Sequence, residues 1–206
     1  MSSRIDLHVP VFAQREAECG NTSLKSVMWH LGWRLSARAL GRMAGLDDEG
    51  INHVGLVDAA RRAGASVYVR EGGSAAASIA ELRWFLAHGH PAIVGWWSMN
   101  DGDAHFDPRW SLAERRERDC GHFSVVSGID ATRVLLMDPQ ALPAGRRGGH
   151  RGIVGRVWTP LRDFQRVWYD TDTAAYTKVD RWYMVAHRTD ERFASRFGAG
   201  TDHSPR

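Results

Sequence analysis

The sequence predicts an α+β domain in which an N-terminal helical layer packs on an antiparallel sheet. Helical periodicity dominates the first third of the chain, and β-branched, alternating or fully apolar segments recur in the rest. Two of these segments are joined by a connection as short as a hairpin turn. Helices that precede hairpin-linked strands are typical of the α+β class. We expect one domain over residues 1–190 and a disordered, polar and Gly-rich tail over residues 191–206.

Three helices are predicted before the first strand. An apolar stripe at i, i+3, i+4 and i+7 predicts the first helix over residues 19–31; its members are Leu24, Val27, Met28 and Leu31. The second helix is predicted over residues 36–44, with Ser36 as the N-cap, and the third over residues 53–63. These helices would supply the layer that covers the sheet.

The later elements alternate between strands and short helices. The predicted strands are residues 65–71, 91–97, 121–129, 133–139 and 181–188. A helix is predicted over residues 78–89, where Ser78 and Glu81 form a capping box. Another is predicted over residues 159–168, with Thr159 as N-cap and Pro160 at the first helical position.

Composition excludes several classes of protein. The 206 residues are 43% hydrophobic and 25% charged with a formal net charge of +3, which does not indicate nucleic-acid binding. No apolar run approaches the roughly 18 residues that span a membrane, and the N-terminus lacks a signal-peptide pattern. Two cysteines are too few for a disulfide scaffold, which favours a cytoplasmic protein. The polar segment 98–120 is either a lid or a surface insertion.

Cys19 lies where the first helix is predicted to begin. Unsatisfied backbone N–H groups and the positive end of the helix dipole at that position favour a thiolate, which can attack a carbonyl. Gly20 and Asn21 would allow a substrate to approach closely. The alternative is that Cys19 is a buried, inert side chain.

The predicted hairpin offers a base and a group that orients it. A turn centred near residue 131 sets Asp138 opposite Ser124 and makes His122 its diagonal neighbour. A carboxylate beside an imidazole can fix its tautomer and stabilise its charged form. Gln14, in the loop before Cys19, could donate its side-chain NH₂ to an oxyanion, with the Cys19 backbone N–H as second donor. Each residue taken alone is also compatible with a purely structural role.

Together these segments resemble the papain-like cysteine peptidase superfamily. The blocks Q-x4-C-G-x-x-S-L, G-H-F-S-V-V-S-G-I, D-P and F-Q-R-V-W are similar to the bacteriocin-processing, double-glycine leader peptidase family, in a free-standing form. The resemblance runs from about residue 10 to about residue 188. It implies a papain-like fold with no cofactor, in which Cys19 is the nucleophile, His122 the general base, Asp138 the orienting residue and Gln14 the oxyanion donor.

Several features depart from that family. The spacing from Gln14 to Cys19 is one residue shorter than in transporter-linked members, and Glu18 and Asn21 replace the common residues. No membrane or ATP-binding domain follows, so a transporter or peptide partner would be a separate chain. We expect a hydrolase acting on a peptide or other amide. An acyltransferase with the same site, or a non-catalytic peptide-binding module, remains an alternative, and the oligomeric state stays open.

Two further features of the sequence concern cysteine and histidine chemistry. Cys120 lies two residues before His122, and we hypothesise that it can approach Cys19 and form an inhibitory disulfide. The ten histidines include no C-x-x-C pair and no H-x3-H spacing, so no zinc site is predicted. His88, His90 and His150 are interpreted as surface residues.

Overall fold

An antiparallel sheet with helices on both faces forms the body of the protein. The computed structural model describes residues 4–48, 50–97, 121–140, 155–172, 177–188, 190 and 192–206. Its helices are α1 (Cys19–His30), α2 (Ala37–Ala44), α3 (His53–Arg62), α4 (Ala75–Ala87), α5 (Leu161–Val167) and α6 (Phe193–Phe197). Its strands are β1 (Ile5–Asp6), β2 (Ser66–Arg70), β3 (Ala92–Trp97), β4 (Gly121–Ile129), β5 (Arg133–Met137), β6 (Arg156–Pro160), β7 (Tyr169–Asp172), β8 (Thr177–Asp180), β9 (Tyr183–His187) and β10 (Thr201–His203).

The strands of the main sheet follow the order β10-β2-β9-β3-β4-β5-β6, and each neighbouring pair is antiparallel. The short strand β1 pairs with the far end of β4, while β7 and β8 form a separate hairpin. The predicted α+β class is confirmed. The strand predicted over residues 181–188 lies in the interior of the sheet, between β2 and β3.

Two hydrophobic cores lie on the two faces of the sheet. The first joins the apolar sides of α1, α2 and α3 to one face; it contains Leu24, Met28, Leu40, Leu56, Phe123 and Val125. The second joins α4, α5 and α6 to the other face; it contains Leu82, Phe85, Val126, Phe164, Tyr183 and Phe193. The predicted helical layer is therefore the first of two layers.

Two of the predicted helix starts are wrong. Helix α4 begins one turn earlier than predicted, at Ala75, and Ser74 is its N-cap, accepting from the backbone N–H of Ala77 at 3.1 Å. Three consecutive alanines explain the extension, because alanine has the highest helix propensity. Ser78 is consequently buried inside the helix, and Glu81 forms an ion pair with a β2 arginine instead of capping.

The second wrong start is at residues 159–160. Thr159 and Pro160 belong to strand β6, where they pair with Val134 and Arg133, and α5 begins only at Leu161. A proline fits there because β6 ends the strand order of the described sheet, where a missing N–H is tolerated.

The sequence predicted a disordered tail over 191–206, whereas the described residues 192–206 contain a helix and a strand. Residues 201–203 form β10 and pair with β2, and α6 buries Phe193 completely. Asp202 accepts hydrogen bonds at 3.0 Å from the backbone N–H groups of Phe193 and Ala194. A polar, Gly-rich composition concealed one buried aromatic residue and an aspartate that caps a short helix.

Some predictions concern residues outside the described ranges. These are the lid or insertion over residues 98–120, the disulfide of Cys120 and the surface position of His150. Within the described ranges, no helix is both long enough and apolar enough to cross a membrane. The same residues contain no group of three or more His, Cys, Asp or Glu side chains arranged to hold a metal ion.

Candidate active site

The β4–β5 hairpin sets His122 and Asp138 on one face of the sheet. Counted from the turn, a regular ladder would place Asp138 opposite Val125, on the other face from His122. A β-bulge at Ser127 shifts the register by one residue, so that the continued ladder places Asp138 opposite Ser124. The predicted diagonal arrangement therefore exists, but it depends on a bulge that the sequence analysis did not anticipate.

His122 and Asp138 form a buried hydrogen-bonded pair. The distance from His122 Nε2 to Asp138 Oδ1 is 2.8 Å, and their side chains are 5% and 15% exposed. Asp138 also accepts from the backbone N–H of Gln140 at 2.9 Å, while its own N–H donates to the Gly155 carbonyl at 2.7 Å. These bonds hold the carboxylate in a fixed orientation towards the imidazole.

The surroundings of His122 strongly favour its protonated form. Burial lowers the pKa of His122. The charge and the hydrogen bond of Asp138 raise this pKa, and the Cys19 side chain raises it further. The net result raises the pKa of His122 from 6.5 to about 10. Because Nε2 is bonded to Asp138, Nδ1 is the ring nitrogen left for Cys19. The site is therefore suited to a protonated imidazole that is held by a carboxylate next to the Cys19 sulfur.

Cys19 is the first residue of α1 and is half-buried. Its side chain is among the groups that raise the pKa of His122, so the two side chains lie close together. The chain reaches this helix through Ala17, which has a φ of 58°, in the left-handed region that alanine rarely adopts. This turn aims the loop from residue 14 towards the start of the helix.

Two contacts fix the start of α1 against β4. The Ser23 hydroxyl, one helical turn after Cys19, donates to the backbone carbonyl of Phe123 at 3.0 Å. Gly20 allows the close approach, because a Cβ at that position would lie 3.3 Å from the Phe123 ring. Since Phe123 directly follows His122, these contacts set the distance between the thiol and the imidazole. The sequence analysis missed the role of Ser23, although the serine stands in the C-G-x-x-S-L block.

Gln14 lies beside the loop that carries Asp138. Its backbone N–H donates to the Pro139 carbonyl at 3.0 Å, and its side-chain Oε1 is buried without a hydrogen-bond partner in the structure. This anchor places Gln14 near the predicted triad. The structure gives no contact from its side-chain amide to Cys19, so its role as an oxyanion donor stays a prediction.

Trp96 is a second neighbour of His122 that the sequence analysis missed. The two residues pair across β3 and β4, and their rings meet edge to face with centroids 5.5 Å apart. The Trp96 indole N–H donates to Ser124 Oγ at 3.0 Å, which fixes the indole beside the imidazole. Only the alternation of residues in β3 could have indicated this position, and alternation does not reveal the partner strand.

Comparisons with known proteins identify the family of this chain and solved structures of similar fold. A family model described as the Peptidase_C39 like family matches residues 6–177. No curated protein matches the chain.

Among solved structures, the fold is similar to a C39-like peptidase from Bacillus anthracis, with a TM-score of 0.62 and 16% identity over 92% of this chain and 100% of that one. It is also similar to the peptidase domain of Streptococcus ComA, a bifunctional ABC transporter involved in a quorum-sensing pathway, with a TM-score of 0.56 and 16% identity over 88% of this chain and 99% of that one. A third similar structure is a double-glycine-motif protease from an AMS/PCAT transporter in complex with its leader peptide, with a TM-score of 0.54 and 20% identity over 91% of this chain and 97% of that one.

Proposed function

Because the chain belongs to the Peptidase_C39-like family, and is therefore a cysteine peptidase-like enzyme, we propose that it hydrolyses a peptide or amide bond through a thioester on Cys19. The observation that carries this proposal is the contiguous set of Cys19, His122 and Asp138 where α1 and β4 begin. A thiol at the start of a helix, next to a His–carboxylate pair, is the arrangement that activates a cysteine nucleophile.

The reaction follows from the proton affinities in the site. The Cys19 thiolate attacks the carbonyl carbon, and the oxyanion that forms accepts hydrogen bonds from the Cys19 backbone N–H and the Gln14 side-chain amide. The C–N bond then breaks as His122 gives its proton to the leaving amine. Water attacks the thioester, His122 takes a proton from that water, and the carboxylic acid leaves as the thiolate reforms. Asp138 stays ionised and keeps Nε2 of His122 protonated.

A peptide is the substrate that the family favours. The similar double-glycine-motif protease was solved with a leader peptide, and we extend that substrate class, but not its sequence, to this chain. A reducing compartment such as the cytoplasm suits the reaction, because a thiolate nucleophile must stay reduced.

Selective trapping of the nucleophile tests the proposal. The chain has two cysteines, so labelling with a thiol electrophile near neutral pH, followed by peptide mapping, separates Cys19 from Cys120. In the wild type we expect Cys19 to be labelled much faster than Cys120. The labelling rate of Cys19 should be the same in C120S and lower in H122A. Equal labelling of the two cysteines would contradict the assignment of the nucleophile.

Turnover is tested with a peptide library read by mass spectrometry. Wild-type protein and C120S should cleave the same peptides, whereas C19A should cleave none and keep the thermal denaturation midpoint of the wild type. The same assay is repeated with added amines or thiols. Products in which the amine or thiol takes the place of water would show that the enzyme transfers the acyl group instead of hydrolysing the bond. Cleavage by C19A at the wild-type rate would refute the proposal.

A further inference from the structure

A second His–Asp pair lies buried next to the proposed triad and takes no part in the chemistry. His53 is the first residue of α3, and its Nε2 lies 3.3 Å from Oδ2 of Asp170 on β7. The two side chains are 14% and 5% exposed. The His53 ring packs against Trp182 and Phe123, with centroids 4.4 and 5.3 Å away.

Stability alone does not explain this pair. A buried pair of ionisable side chains is weak evidence for stability, because apolar residues of the same volume are commonly as stable or more stable. The pair therefore has the features of a group that fixes geometry in its neighbours.

The neighbours of the pair are the backbones of β3 and β4 at the level of His122. A Cβ on Gly121 would lie 2.6 Å from Asp170 Oδ1, and a Cβ on Gly95 would lie 2.8 Å from His53 Nε2 and 3.0 Å from Asp170 Oδ2. Real Cβ atoms essentially never come within 3.0 Å of another atom, so a side chain at either glycine would force His53 or Asp170 to shift. Gly121 is bonded directly to His122, so Asp170 rests against the residue that precedes the proposed general base.

Among the described strands, this end of β4 has a partner on one side only. Of these strands, β3 pairs with β4 from Gly121 onwards, whereas the ladder to β5 starts only at Val125. His122 therefore lies beyond the two-sided part of the sheet. We propose that His53 and Asp170 are positioning residues for His122: they hold Gly121, and through it the imidazole, at the distance that the Cys19 thiol requires. This inference rests on the proposed function.

A matched pair of amide substitutions tests the role. Asp170→Asn replaces the carboxylate of this pair by an amide. Glu81→Gln makes the same replacement in a buried ion pair beside the second core, where Arg70 Nη1 lies 3.0 Å from Glu81 Oε1. A misplacement of about 1 Å costs about 100-fold in rate. We expect D170N to lower kcat and the rate of Cys19 alkylation by about 10- to 100-fold with KM unchanged. E81Q should lower the thermal denaturation midpoint but leave kcat unchanged.

Three results would overturn the proposal. D170N with wild-type kcat and Cys19 alkylation would exclude positioning. A raised KM with unchanged alkylation would make Asp170 a substrate contact. Losses of kcat in D170N and E81Q that simply follow their denaturation midpoints would make the effect one of stability.

A double-mutant cycle keeps the test informative if D170N folds poorly. The methyl of Gly121→Ala collides with the Asp170 carboxylate in the wild type, but Asp170→Ala removes that carboxylate. We therefore expect G121A to slow Cys19 alkylation strongly in the wild type and less in D170A, whereas equal effects would contradict the mechanism. If C19A abolishes cleavage but these variants behave like the wild type, only this inference fails. If C19A retains cleavage, the proposed function fails first.

Discussion

The substitution Asp138→Asn should move the titration of His122 further than any other single change. In the wild type the charge and hydrogen bond of Asp138, with Cys19, raise the pKa of His122 to about 10 against the effect of burial. The difference from 6.5 corresponds to about 5 kcal/mol in favour of the imidazolium. An asparagine keeps an oxygen acceptor but loses the charge, so burial then dominates. The pKa of His122 should fall below 6.5 in D138N.

NMR titration of the histidine ring nitrogens measures this pKa without any substrate. The wild type should show one ring, assigned to His122 by its absence in H122A, that stays protonated at pH 8. Cys19→Ala should lower the pKa of His122 less than D138N does, because the contributions of Cys19 are smaller than those of Asp138. A wild-type His122 that titrates near 6.5, or a D138N variant with an unchanged titration, would refute the reasoning.

The same pKa predicts how stability depends on pH. A histidine whose pKa is higher in the folded state stabilises the fold fully below its unfolded value of 6.5, and this contribution is lost as pH rises to about 10. The free energy of unfolding from this group should thus fall by up to about 5 kcal/mol between pH 6 and pH 10. Urea denaturation at both pH values measures the fall, and D138N should show little of it.

Three further substitutions, two of them with a matched control, test local geometry near Cys19 and at the far end of β4. Ala17→Gly should raise the free energy of unfolding by about 1 kcal/mol, because glycine adopts the left-handed backbone without strain. Ala80→Gly, in the interior of α4, should lower the free energy of unfolding by a similar amount. Urea denaturation measures both changes, and changes of the same sign would contradict the argument. Ser23→Ala should lower kcat and lower the free energy of unfolding by about 1–3 kcal/mol, because it leaves the Phe123 carbonyl without its donor. Ser26→Ala removes a bond only within α1 and should leave kcat unchanged. Equal kcat values in the two variants would count against the role of Ser23. Gly128→Ala should lower the thermal denaturation midpoint and speed amide hydrogen exchange in β1, because its methyl would lie 2.6 Å from the Ile5 carbonyl oxygen. Unchanged exchange would contradict this prediction and show that β1 shifts to make room for the methyl.

Sequence periodicity predicted the first helices closely, because each carries an apolar stripe and a side chain that caps it or a glycine that ends it. Helix α1 lies within one residue of the prediction, and Ser36 caps α2 by accepting from the Ala39 N–H at 3.1 Å. The errors have local causes. A run of alanines extended α4, and a strand ending in Thr159-Pro160 looked like a helix start. Strand β10 was missed because its three residues show no pattern of their own and pair only through β2.

The candidate site was predictable to the extent that chemistry fixes residue types. A nucleophile, a base and a carboxylate must be specific side chains, so a sequence shows them. Groups that only hold a backbone in place have no such requirement, and Ser23 and Asp170 reveal their roles only through the carbonyl and the glycine that they contact. The register of the hairpin was predicted correctly, but for the wrong reason. The prediction assumed a symmetric turn, whereas the structure reaches the same register through a β-bulge.

The attachments of β4 divide the expected mutational effects into two kinds. Asp138 contacts the imidazole itself, so its loss should shift the pH at which Cys19 becomes reactive. Ser23 bonds to the backbone carbonyl of the residue after His122, and Asp170 lies against the glycine before it. The loss of either should therefore slow the reaction of Cys19 at every pH and leave the midpoint of its pH profile in place. One experiment, the alkylation rate of Cys19 as a function of pH in D138N, S23A and D170N, therefore separates proton affinity from distance. If all three profiles shift along the pH axis together, the contacts of Ser23 and Asp170 act on charge and the division is wrong.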